Sequence, residues 1–246
     1  DVTSIADALI ARIRREQREI SDERQAFRAF QKQVATVETR DVADASAGGL
    51  VLQTQGTPGL DQVRTAYEST VMAVPHYADE YGDTYADSVV AEFGPDIGPL
   101  LVDGHCLTDQ LKQAVLASAD HCQGERERFL DSLKTERQSV KDIKSRLRPI
   151  VHDLQIVIDH FLAETVTENV ASELEILNEL AADTEDLLTN RQASIDTERP
   201  NISVPADFPD LPAYLYADFE QRYPLLNLLL TTHDAVDACR RFYEDD

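Results

Sequence analysis

The sequence has no Trp, one Met and three Cys among 246 residues. Cys106, Cys122 and Cys239 are too few and too scattered to staple a chain of this length, so a disulfide framework is excluded and a reducing, cytoplasmic setting is predicted. Lysine is also scarce. Five Lys and 18 Arg face 27 Asp and 19 Glu, a net charge of −23. Unselective capture of DNA or RNA needs Lys and Arg to displace counterions from phosphates, so no nucleic-acid partner is predicted. No apolar run approaches the roughly 18–20 residues of a membrane-spanning helix; the richest, YPLLNLLL at 223–230, is far too short. The chain opens on Asp1 instead of Met, compatible with a segment removed ahead of it.

Familiar catalytic signatures are missing as well. There is no Gly-x-Ser-x-Gly elbow, His-Glu-x-x-His pair or Glu-x-x-His bundle motif. Hydrolase, metalloprotease and di-iron chemistry therefore have no support, and the chain reads as non-enzymatic, with no cofactor and no metal site. The glycines of GGLVLQTQGTPG (48–59) come without the Lys-Ser/Thr of a phosphate loop and without a strand leading into them.

What is present is enough apolar residue, 42%, for a folded core. The Asp-rich, Lys-poor balance fits a surface adapted to molar salt, where a Debye length of about 3 Å leaves charges little reach. No period-two strand series appears. Helical periodicity does: Ile5, Leu9, Ile13, Glu16, Ile20, Glu23, Phe27, Phe30, Val34 and Val37 recur at steps of three and four, which keeps one stripe on one face of a coiled-coil helix about 50 Å long. A second series runs through Leu111, Val115, Ser118, Cys122, Glu125, Phe129, Ser132, Glu136, Val140, Ile143, Leu147, Ile150, Leu154, Val157 and Phe161. Thr108 is its expected N-cap, and Pro149 predicts a kink near Arg148 or a break.

The predicted fold is all-α: long antiparallel coiled-coil helices, a small helical insert and a C-terminal helix. In chain order these are a long N-terminal helix (1–40), a Gly/Ala/Ser-rich linker (41–60), a compact helical insert (61–106), a kinked helical hairpin (107–199), and a Pro-rich strap with a final helix (200–246). The hairpin's second helix is expected to start from the capping box Thr165-x-x-Glu168, and the last helix from Pro224. The sequon Asn201-Ile202-Ser203 matters only in a secreted protein.

The segments VRTAYESTVMAVPHYADEYGDTYADSVVAEFGPDIGPLL, ERERFLDSLKTER and YLYADFEQRYPLLNLL resemble an uncharacterised family of acidic, helical proteins from haloarchaea. The resemblance covers the chain from about residue 20 onward and agrees with salt adaptation. It implies no activity and no site residues.

Four features carry potential chemistry. His105-Cys106 and His121-Cys122 combine zinc-ligating types, but sixteen residues of helix would separate the thiols by about 24 Å, and adjacent helical residues diverge. His152-Asp153 and Asp159-His160 diverge in the same way. His76 is more suggestive, because Tyr77, Tyr81 and Tyr85 follow at steps of four; such a stripe lines a ligand pocket or, more commonly, packs a core or interface. Basic residues cluster at Arg12, Arg14, Arg15 and Arg18, and at Arg137, Lys141, Lys144, Arg146 and Arg148; Arg12, Arg15, Arg18, Lys141, Lys144 and Arg148 are candidate partner contacts, or else coiled-coil flanks paired with acids.

The sequence thus points first to a cytoplasmic coiled-coil scaffold or regulatory protein acting through protein contacts, with a homodimer as the expected partner. The alternative is a ligand-binding sensor or enzyme with its site in the 61–104 insert, around His76, Tyr77, Tyr81 and Tyr85. A second alternative is nucleic-acid or membrane-surface contact through the basic clusters.

Overall fold

The computed structural model describes residues 2–39, 58–162, 170–199 and 204–245. Among them every regular element is a helix: α1 (Val2–Ala35), α2 (Pro58–Thr70), α3 (Tyr77–Glu80), α4 (Tyr85–Asp103), α5 (Asp109–Leu162), α6 (Val170–Glu198), α7 (Leu211–Leu215) and α8 (Pro224–Asp245). The fold is all-α. Of the expected linker 41–60, residues 58–60 instead open α2 and the rest lies outside the described residues, as do the Thr165-x-x-Glu168 capping box and the Asn201 sequon.

The chain divides into two compact units, one built from Gln17–Leu130 and the other from Asp1–Glu16 with Asp131–Asp246. Helices α1 and α5 each contribute residues to both.

In the unit 17–130 the second half of α1 runs antiparallel to the start of α5. Lys112 Nζ donates to the carbonyls of Ala35 and Val37 at 2.8 and 2.7 Å, and Gln31 Nε2 donates to the Leu116 carbonyl at 3.3 Å. Thr108 caps α5 as expected, its Oγ1 accepting from the Leu111 amide at 3.1 Å. An aromatic cluster fills the space between the helices. Phe30 meets Tyr67 edge-on at 5.4 Å and stacks on Phe93 at 5.8 Å, while Tyr67 packs edge-on against Tyr85 at 5.8 Å. Such pairs add to the apolar area they remove from water.

Two glycines shape the stretch from α3 to α4. Gly82 takes φ +61° and ends α3, its amide returning to the Tyr77 carbonyl at 3.0 Å. Gly94, at φ +77°, divides α4 into two segments just before Pro95. Thr84 starts the first of them by accepting from the Asp87 amide at 3.2 Å.

In the unit formed by residues 1–16 and 131–246, α6 packs along α8. Leu9, Ile13, Leu133, Leu147, Leu177, Leu187, Leu215 and Leu225 are fully buried there. Of the two outcomes expected at Pro149, a kink near Arg148 or a break, the break does not occur, and α5 continues from Asp109 to Leu162. Pro149 sits on the exposed side of the helix, where a backbone carbonyl left without its donor can bond to water. The strap residue Asp210 is buried and caps α7, accepting from the Ala213 amide at 3.0 Å, from Arg199 Nη2 at 3.1 Å and from the Tyr223 hydroxyl at 2.9 Å.

The α1 stripe is buried or half-buried at every position from Ile5 to Val37. The α5 stripe departs from its expected register in the middle. Ala119, Leu130 and Leu133 are buried, whereas Glu125 is exposed and Ser118, Phe129 and Ser132 are only half-buried. The observed face slips by one residue because two Leu on neighbouring turns offer more apolar area than Phe129 with two serines.

Candidate functional site

Glu23 occupies a core position of the α1 stripe, and a carboxylate there must find donors or lose several kcal/mol to desolvation. It finds three. Its Oε1 accepts from His76 Nε2 at 3.0 Å and from the Tyr81 hydroxyl at 2.8 Å, and its Oε2 accepts from Arg126 Nε at 2.9 Å. Because a carboxylate only accepts, His76 carries its proton on Nε2.

Arg126 serves a second acid. Its Nη2 and Nη1 donate to the two oxygens of Glu92 at 2.6 and 3.2 Å, and its guanidinium lies 4.4 Å over the Phe27 ring. The side chains of Glu23, His76 and Arg126 are 7, 10 and 14% exposed, and that of Glu92 is 25% exposed. One guanidinium therefore holds two carboxylates in a largely dry setting. Burial works to lower the Arg126 pKa, but Glu92 and Glu23 outweigh it and hold the group above the ordinary arginine range. Burial, reinforced by Glu23, pushes the Tyr81 phenol up.

Beside this cluster lies a cavity of about 90 Å³. Its polar lining is Glu23, Tyr77, Tyr81, Asp83, Ser88, Glu92 and Arg126, with Val71, Val74 and Ala91 as the apolar wall. Tyr81 stands at the rim, 49% exposed, with its hydroxyl turned in to Glu23. Tyr77 is the opposite case. Its ring is 8% exposed and 5.5 Å from that of Tyr81, and its hydroxyl is buried with no hydrogen-bond partner among the described residues. Burial pushes the Tyr77 phenol up, and Ser88, whose hydroxyl bonds to Tyr67 at 2.8 Å, lies near enough to pull partly against that shift.

Of the four residues singled out in the insert, the structure groups His76, Tyr77 and Tyr81 at this cluster. Tyr85 lies elsewhere. Its ring packs on Tyr67 and under Arg64, 4.9 Å away, and burial lifts its phenol to about 12. Sequence reasoning missed Glu23, Glu92 and Arg126. The signal for Glu23 was an acid at a core position of the heptad, while Arg126 lies one step off the expected α5 stripe.

The other unit holds a related cluster. Glu136, again at a core heptad position, takes both Arg191 Nη1 and Nη2 at 2.8 Å and the Tyr216 hydroxyl at 2.7 Å. Nearby Glu16 accepts from Arg12 Nη1 at 2.7 Å and from the Tyr214 hydroxyl at 2.7 Å. A shallow groove of about 430 Å³ runs beside Arg191, lined also by Gln138, Asp142, Arg146 and Asn190.

The basic candidates are partly engaged. Arg12 binds Glu16, and Lys144 Nζ binds Asp7 at 2.6 Å; Arg15, Arg18, Lys141 and Arg148 lie on exposed positions of their helices. Cys122 is buried, its thiol 3.5 Å from the Glu92 carbonyl; Cys106 and Cys239 are half-buried. Among the described residues no group of three or more His, Cys, Asp and Glu is placed to hold a metal ion, and no helix is long and apolar enough to cross a membrane.

No curated protein and no solved structure matches the chain. Residues 3–240 match the model of a family described as a domain of unknown function, DUF7260, and the chain belongs to that family.

Proposed function

We propose that the protein acts by binding rather than by catalysis, as a regulatory or sensor module that takes a small ligand in the cavity of the unit 17–130. One observation carries this reading: a buried polar cluster with more carboxylates than guanidiniums opens on a cavity where a buried tyrosine hydroxyl lacks a partner. Polar groups left in that state inside a fold call for an occupant. The test is a thermal-shift screen of small acids, amines and neutral amides at constant ionic strength. At least one class raises Tm saturably, and Tyr77→Phe, which removes the unpartnered hydroxyl, reduces the shift. A screen in which nothing binds overturns the reading.

Contact with other proteins is the second reading, including a homodimer. The heptad stripes are covered within the chain, so a partner would meet other faces; Val90, Leu100 and Val102 of α4 are exposed apolar candidates. Light scattering in molar KCl tests it, and a strict monomer at micromolar concentration removes the homodimer. The basic clusters support nucleic-acid or membrane contact less, since Arg12 and Lys144 are engaged within their own unit.

We also infer that the protein works in the salt-rich cytosol of an archaeon, on the strength of 27 Asp against five Lys. Circular dichroism against KCl concentration tests this; full helicity and unchanged stability in dilute buffer would contradict it.

A further inference from the structure

Building on the proposed ligand site, the charge and hydrogen-bond inventory of the cavity also specifies the ligand's class. Three carboxylates line it, from Glu23, Asp83 and Glu92, against the single guanidinium of Arg126. Arg126 spends its donors on Glu23, Glu92 and the Cys122 carbonyl. His76, the other nitrogen base at the cluster, is bonded to Glu23 at 3.0 Å. Each carboxylate oxygen accepts more than one bond, so the walls offer acceptors and negative charge in excess of donors.

Independently of the acids, the buried Tyr77 hydroxyl has no partner among the described residues. The charged side chains acting on it are Asp83 and Glu92, both of which line the cavity. Its oxygen can accept one hydrogen bond and its proton donate another. Two rings, Tyr77 and Tyr81, flank the same space, and an aromatic face attracts a cation. Val71, Val74 and Ala91 supply an apolar wall for a short carbon chain. The volume of about 90 Å³ equals the liquid share of about three waters.

We propose that this cavity binds the primary ammonium group of a small alkylamine, with Glu92, Asp83 and the Tyr77 hydroxyl accepting its N–H bonds and the alkyl end lying on Val71, Val74 and Ala91. A primary ammonium brings three donors and one positive charge, which the lining lacks. A carboxylate or phosphate ligand would add charge of the sign already in excess.

The test is calorimetric titration of the full chain with propylammonium chloride, exchanged for NaCl at constant ionic strength. Tetramethylammonium, potassium, propionate and propanol serve as parallel probes. The expected result is saturable binding of propylammonium alone, weakened about tenfold or more in Tyr77→Phe and in Glu92→Gln, as loss of a bond to a charged group implies. Tetramethylammonium or potassium binding equally well would overturn the assignment, because neither donates an N–H bond. Propionate or propanol binding in place of propylammonium would overturn the ammonium class while leaving a ligand pocket. Binding unchanged in both variants would place the amine elsewhere and overturn the site. Silence from all five probes, in a protein whose thermal-shift screen does find a ligand, would overturn only this inference; silence in both experiments overturns the pocket as well.

Discussion

Each unit buries an arginine against a glutamate that stands at a heptad core position, and the two arrangements differ in charge. In the unit containing Glu136, two carboxylates (Glu16, Glu136) meet two guanidiniums (Arg12, Arg191), and two tyrosine hydroxyls complete the carboxylate shells. Arg191 and Glu136 are 2 and 7% exposed. In the unit containing Glu23, two carboxylates share one guanidinium, and the surplus faces a cavity. The two clusters thus bury similar groups with a different balance of carboxylates and guanidiniums.

The largest expected effects come from removing either arginine. Arg191→Met strands Glu136, and Arg126→Met strands Glu23 and Glu92, so each costs about 3–5 kcal/mol in urea unfolding. The rescues separate the clusters. Adding Glu136→Leu to Arg191→Met removes a whole pair and restores most of the loss, whereas adding Glu23→Leu to Arg126→Met restores less, because Glu92 stays unpaired.

Tyrosine substitutions give the next contrast. Tyr216→Phe deletes a bond to a buried carboxylate and costs about 1.5–3 kcal/mol, while Tyr77→Phe deletes an unsatisfied hydroxyl and is neutral or stabilising. Urea midpoints for the two variants settle the matter. A costly Tyr77→Phe would mean that its hydroxyl is already served within the fold.

The smallest effect concerns the thiols. Burial lifts Cys122 from 9.0 to about 12, with Glu92 adding to the shift. The folded thiol stays protonated where the unfolded one ionises, so this group's stability contribution is complete below about pH 9 and declines as pH climbs toward 12. At pH 8 Ellman's reagent labels Cys106 and Cys239 of the native protein and leaves Cys122 untouched. A third native equivalent would show that this part of the core opens readily.

Much of this was legible in the sequence. The all-α fold followed from steps of three and four in α1 and α5, with no period-two series to compete. Of the insert's four singled-out residues, Tyr77 and Tyr81 come to line the cavity because a step of four stacks them across the single turn of α3, and His76 bonds to Glu23 beside it. Tyr85 fell outside because Gly82, with its positive φ, ends that helix before the fourth residue of the series. Arg126 was hidden by the one-residue slip of the α5 face, and Glu92 lies on α4, joined to α1 only through the tertiary fold. The acids at Glu16, Glu23 and Glu136 looked like tolerated breaks in a hydrophobic stripe, yet they anchor both clusters, and charge at a core position was the strongest clue.

The most direct test compares Glu92→Gln with Glu136→Gln in urea unfolding of the ligand-free protein. Glu92→Gln brings its cluster to balance, since Arg126 keeps Glu23, and changes stability by less than about 1 kcal/mol or raises it; Glu136→Gln removes the carboxylate that both Arg191 Nη atoms bond and costs about 3 kcal/mol or more. Equal losses in the two variants would contradict the proposal that the Glu23 cluster carries a carboxylate in excess and takes up a cation.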